Sequence, residues 1–219
     1  MWRLVREGLR FYRPVLLISW AIGTGVFVLV VALLATVGGA GDRAELPKIA
    51  TQLPLTILLA SMIAGFIAIG TEQSESRVCL QALLPLRVGQ VAAARVLLPA
   101  ALVAAGLIVS QLALAALAAL SDPSRFWSRH LALDFVALVL LFWVEFALAI
   151  REILELRRRA GWGTALAPKV LLAALVVLMI PLQFLKIEPA AQLAAAAALD
   201  AAVMALTATL FVRRTTFAR

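Results

Sequence analysis

"LPLTILLASMIAGFIAIG", residues 53–70, runs without a break into "TEQSESRVCLQALLPLRVGQVAAAR", residues 71–95. The first stretch holds no ionisable side chain and is long enough to cross a bilayer as a helix, which takes roughly 20 mostly apolar residues. The second opens on two glutamates and small polar residues, then passes through Leu-Leu-Pro-Leu-Arg before apolar character resumes. That boundary reads as a span, a polar connection and the start of another span. The same length test along the chain predicts six spans, at about 14–37, 53–70, 91–120, 131–150, 169–186 and 190–212. The first is longer than the roughly 7–15-residue apolar part of a secretory signal, so it is read as retained. Nothing between the spans is large enough for a soluble domain, and 1–219 is read as a single transmembrane domain of an all-α membrane protein.

Composition agrees. Of 219 residues, 64% are hydrophobic and 15% charged, with a mean hydropathy of +1.03. Soluble domains are nearer roughly half apolar and a quarter charged. A net charge of +8 could suit nucleic acid, but the basic residues punctuate apolar runs, which points to orientation in a bilayer instead. Cys79 has no second cysteine for an internal disulfide, and His130 alone cannot build a metal cluster.

Orientation follows from those basic residues. Segments 1–13, 71–95, 151–169 and 213–219 hold fifteen of the twenty Lys and Arg, and six spans put all four segments on one side. The positive-inside rule makes that side cytoplasmic, with both termini inside. Within 1–13, Arg3, Arg6, Arg10 and Arg13 fall at spacings of 3, 4 and 3, on one helical face. Trp2, Val5, Leu9 and Tyr12 repeat beside them. A basic stripe next to an apolar one predicts an amphipathic helix in the headgroup layer, serving as a topology anchor or a mechanical element. The run "AAAAALDAA" at 194–202 makes the last span weakly hydrophobic, so it is expected to pack on its neighbours. Gly23 and Gly25 suggest close helix approach in the first span.

Ionisable groups inside spans are costly and need a reason. Glu145 lies in the fourth span, about 9 Å of helix rise before Arg151, and Asp200 lies midway along the sixth. Asp134 is about 16 Å from Glu145 along the same helix, so those two cannot share a proton or a metal. Glu145 and Asp200 can meet across a bundle. Sequence leaves open whether they hydrogen-bond structurally, line a cavity on the substrate path or relay protons. The triple arginine in "RRRAGWG" (157–163) reads as a topology determinant resting on anionic lipid, and His130 beside "SRFWSR" as interfacial. No GxxxxGK[ST] phosphate-binding loop is present, nor the motifs of an intramembrane serine protease or a phosphoalcohol transferase.

Residues 71–95 resemble the cytoplasmic connection of type-2 permeases of the ATP-binding-cassette transporter superfamily. The matching positions are Glu72 and Glu75, then Leu84-Pro85-Leu86-Arg87, then Gln90 and Arg95 entering the third span. The family also has six spans, internal termini and a basic amphipathic helix ahead of the first span. This chain has Ser76-Arg77 where many members carry Gly-Thr or Gly-Ser, and its outer connections are short. The resemblance implies that 71–90 is a coupling segment that docks on a separate ATPase subunit. Glu72, Glu75 and Arg77 would supply its polar contacts, and Leu80, Leu83 and Leu84 would seat in a groove. Pro85 would set the segment apart from the third span.

On that resemblance the chain is the permease subunit of an exporter in a bacterial cytoplasmic (inner) membrane. It pairs with a second permease copy, identical or related, and hydrolyses nothing itself. It binds no cofactor of its own; ATP and Mg belong to the partner ATPase. Two alternatives of other classes are a proton-coupled secondary carrier using Glu145 and Asp200, and a membrane-embedded enzyme, which would need its acidic groups gathered at one depth.

Overall fold

The computed structural model describes residues 2–37, 52–71, 87–118, 126–160, 162–184 and 188–216. They form six helices: α1 (Trp2–Val37), α2 (Leu53–Thr71), α3 (Val88–Ala118), α4 (Phe126–Ala160), α5 (Trp162–Leu182) and α6 (Pro189–Thr216). Among the described residues there is no strand. All six helices are long and apolar enough to cross a membrane, and the chain is a multi-pass, all-α membrane protein.

The helices differ from the expected spans where local chemistry or packing carries them further. Residues 1–13 were expected as a separate interfacial element, but α1 continues from Trp2 through Pro14 to Val37. Its early turns pack on the bundle: Val5, Tyr12 and Leu16 are buried on one stripe, while Arg6, Arg10 and Arg13 face outward. α4 runs ten residues past position 150, over "REILELRRRA", where most residues are strong helix formers and Glu155 pairs with Arg158 at 3.1 Å. α5 starts at Trp162 rather than 169 and stops at Leu182 rather than 186. Pro181 begins the stop, a turn follows in which the Phe184 amide donates to the Pro181 carbonyl at 2.9 Å, and the Gln192 side chain donates to the Leu182 carbonyl at 2.9 Å. Gln192, in the first turn of α6, thus satisfies a carbonyl that the end of α5 leaves open.

Two halves share the packing. α4 and α6 make the most extensive contact of any two helices, and α5 closes over them. Phe142, Ile153, Leu156, Met179, Val203 and Leu210 are buried there. The alanine-rich α6 is held by α3, α4 and α5, as its weak hydrophobicity requires. In the other half, Tyr12 and Leu16 of α1 meet Ala64 and Ala68 of α2 and Leu98 and Leu102 of α3. α2 and α3 are closely packed at Gly106, where a Cβ would overlap the Ser61 hydroxyl and Cβ. Ser61 is wholly buried; it accepts from the Trp20 indole N–H at 2.7 Å and donates to the Ile57 carbonyl at 3.0 Å. Gly23 likewise approaches Ala60, whereas among the described residues nothing lies within 4 Å of a Cβ placed on Gly25. The outer two-thirds of α1 turns Ile18, Ile22, Val26, Leu29 and Leu33 away from the bundle.

Contacts between helix ends fix their alternating directions. Tyr12, Ala68, Arg95, Arg151, Lys169 and Phe211 lie towards one end. Pro54, Ser110, Gln111 and Asp134 lie towards the other. The first is the basic end.

Candidate functional site

Two clusters of buried polar groups lie inside the bundle, at different depths. The first closes the basic end. Arg95 of α3 reaches Glu152 of α4 at 3.6 Å, with both side chains under one-tenth exposed. Its guanidinium also lies 4.7 Å from the ring centroid of Phe211 on α6. One arginine therefore ties three helices, through a charge pair and a cation–π contact. Beside it, the last turn of α2 presents carbonyls that its own helix cannot satisfy. Arg151 donates to the Ile69 carbonyl at 2.8 Å, and the Tyr12 hydroxyl to that of Ala68 at 3.3 Å. A cation at a helix C-terminus also complements the negative end of the helix dipole.

The second cluster sits near mid-span. Glu145 of α4 is wholly buried and Asp200 of α6 is 4% exposed. Phe142 and Ala149, which flank Glu145, and Ala196 and Val203, which flank Asp200, belong to one buried cluster, so both carboxyls face the α4–α6 contact. Among the described residues none of their four carboxyl oxygens has a hydrogen-bond partner. Glu145 and Glu152 are seven residues apart on one face of α4, so Glu145 lies about 10 Å above the Arg95–Glu152 pair.

Towards the opposite end, the Gln111 side chain donates to Asp134 at 2.6 Å and its carbonyl oxygen meets His130 Nδ1. His130 and Asp134 are both half-buried, so this trio joins α3 to α4. On the outside of the bundle, α4 and α5 enclose an apolar groove of about 460 Å³, with Phe146, Ile150, Leu172 and Val176 in its walls and Lys169 at its edge.

Of the residues singled out in the sequence, Glu72, Glu75, Arg77, Leu80, Leu83, Leu84 and Pro85 lie outside the described residues. Glu145 and Asp200 are both buried at the α4–α6 contact. Arg95, read as a topology determinant, is a buried structural cation. Glu152 was not singled out at all. Its place directly after Arg151 at a span boundary suggests an exposed residue, and its partner lies 57 positions away on another helix. Only the rule that a carboxylate so close to a span needs a partner could have flagged it.

Comparisons with protein-family models, with curated proteins and with solved structures return no match for this chain.

Proposed function

We propose that this chain is the permease subunit of an ATP-driven exporter in a bacterial inner membrane, working with a separate ATPase and a second permease subunit. The observation that supports this reading is where α2 ends and α3 begins: Ala68, Ile69 and Arg95 lie at the basic end, which positive-inside orientation makes cytoplasmic. A connection there is accessible to a soluble ATPase, and it carries the acidic, leucine and proline positions that resemble a coupling segment. The rigid contacts on either side, Arg151 on the end of α2 and Arg95 in α3, would pass a push on that connection into the bundle. ATP and Mg would bind to the partner, which would supply the hydrolysis.

A second reading, a proton-coupled carrier, is favoured by one observation, the burial of Glu145 and Asp200 at the α4–α6 contact. The two readings separate on energy source. The carrier moves substrate on a proton gradient without any ATPase, and the permease does not.

The coupling segment supplies the test. Reversing Glu75 and Arg77 (Glu75→Lys with Arg77→Glu) is expected to weaken co-purification of the ATPase, because misplaced charges at an interface cost several kcal/mol, about 2–5. Leu84→Asp is expected to act more severely, by forcing a charge into an apolar groove. Reversing Asp42 and Arg43 in the first outer connection should leave co-purification intact. Unchanged co-purification in both coupling-segment variants, at unchanged expression, would reduce the segment to an ordinary loop.

A further inference from the structure

The apolar groove between α4 and α5 plays no part in the reading above. Its α4 wall is Phe146, Ile150, Ile153 and Leu154, which recur at helical spacing on one face. The same step along that face reaches Arg157 and Arg158, in the part of α4 that extends past the apolar span. α5 runs the opposite way, and the first of its residues to line the groove is Lys169. Leu172, Ala173, Val176 and Val177 follow, again at helical spacing. Ile150, Leu154 and Val177 are exposed, so the groove opens away from the bundle. It is apolar along its length and basic at one end.

That end is the cytoplasmic one under positive-inside orientation. From Lys169 to Val177 the helix rises about 12 Å, close to the half-thickness of a hydrocarbon core about 30 Å across. The groove is therefore about one leaflet deep. A spanning helix from a partner would run the full core and would seat along only half of it. A single acyl chain of the inner leaflet matches the length, and the volume of about 460 Å³ is open to it.

Charge at the mouth selects the headgroup. Arg157, Arg158 and Lys169 bring three positive charges. Glu155 offsets one of them, pairing with Arg158 at 3.1 Å, and Glu152 is buried against Arg95. A net positive charge remains. An arginine has five N–H donors and a lysine three, so each can hold a phosphate oxygen alongside a protein partner.

We propose that this groove binds one anionic phospholipid of the cytoplasmic leaflet, with an acyl chain along Ile150, Leu154, Ala173 and Val177 and the phosphate at Lys169, Arg157 and Arg158. Basic pockets between spanning helices on the cytoplasmic side suit such headgroups. The bound lipid links the extended end of α4 to α5. The site stands whether or not an ATPase drives the protein.

Native mass spectrometry of the delipidated full chain tests this, with phosphatidylglycerol and phosphatidylcholine of identical acyl chains added in equal amounts. One phosphatidylglycerol per chain is expected to be retained where phosphatidylcholine is lost. Lys169→Gln should weaken that retention about fivefold, the effect of one basic residue near a membrane surface. Ala173→Phe, at an exposed groove position, should fill the groove and abolish retention. Arg10→Gln, on the outward stripe of α1, should retain the lipid as the wild type does. In membranes, phosphatidylglycerol with a photoactivatable acyl chain should cross-link the unaltered chain at the groove residues of α4 and α5, so a misfolded variant does not spoil the test. Equal retention of the two lipids would overturn the proposal, leaving only the exchangeable lipid that coats any span. Retention unaffected by Lys169→Gln and Ala173→Phe, or lost in Arg10→Gln alone, would place the lipid elsewhere and overturn it. Cross-links spread evenly over all lipid-facing helices would do the same. A dimer mass that Ala173→Phe abolishes would overturn it in favour of a second copy of the chain.

Discussion

Two places in this bundle bury acidic groups between α4 and its neighbours, and at one of the two a cation meets them. At the basic end, Glu152 is neutralised by Arg95, itself stacked near Phe211. About 10 Å further into the span, Glu145 is buried with neither carboxyl oxygen hydrogen-bonded, and Asp200 on α6 is buried in the same way. A charged aspartate at the centre of a spanning helix costs about 3 kcal/mol on insertion scales. Near an interface a long arginine reaches an acid from the next helix, and the pair can remain charged. At mid-span, among the described residues, no cation reaches either carboxyl.

Breaking the basic-end pair should have the largest effect on stability. Arg95→Met alone or Glu152→Leu alone leaves one buried charge uncompensated and is expected to cost about 3–5 kcal/mol. The two together should cost much less than their sum, because no stranded charge remains. Thermal unfolding in detergent, followed by tryptophan fluorescence, measures this. Single variants as stable as wild type would mean that the pair is not what holds α3 to α4.

Next in size is a purely steric change in the other half of the bundle. Gly106→Ala drives a methyl into Ser61, and overpacking of this kind costs about 1–3 kcal/mol. Ser61→Gly should recover part of the loss in the same unfolding assay, even though it gives up the Trp20 hydrogen bond. Failure of any rescue would place the strain elsewhere.

The mid-span pair should show the smallest effect, which is where the comparison is sharpest. Glu145→Gln with Asp200→Asn keeps the shape and removes both ionisable groups. Interhelical hydrogen bonds in membranes average about 0.6 kcal/mol, so the double variant is expected to unfold within about 1 kcal/mol of wild type. A loss as large as that of Arg95→Met would mean that the two carboxyls hold the helices as strongly as the basic-end ion pair does.

How far the fold could be read beforehand follows from the same physics. Hydropathy marks six spans because each must bury its own backbone hydrogen bonds in lipid, and that demand is local. It could not separate α1 into two elements or join them, because the answer depends on Tyr12 reaching Ala68 and on Gly8 admitting Leu98, contacts made by chain far away. Nor could it set the end of α4, where helix-forming charged residues carry the helix beyond the apolar part. Glu145 and Asp200 stood out because a carboxyl inside an apolar run violates the pattern. Glu152 and Arg95 did not, because basic and acidic residues at a span boundary are what positive-inside topology leads one to expect. The coupling residues rest on a motif, and Glu72 to Pro85 lie outside the described residues.

The proposed division of labour between this chain and an ATPase is tested most directly by purifying the tagged, full-length chain from its native membrane. Nucleotide hydrolysis is then measured before and after the preparation is stripped to the single polypeptide. The account predicts that an ATPase subunit with a phosphate-binding loop co-purifies, that hydrolysis tracks that subunit, and that the stripped chain hydrolyses nothing. Hydrolysis by the homogeneous chain, or a chain that purifies without any ATPase under conditions that preserve membrane complexes, would contradict it.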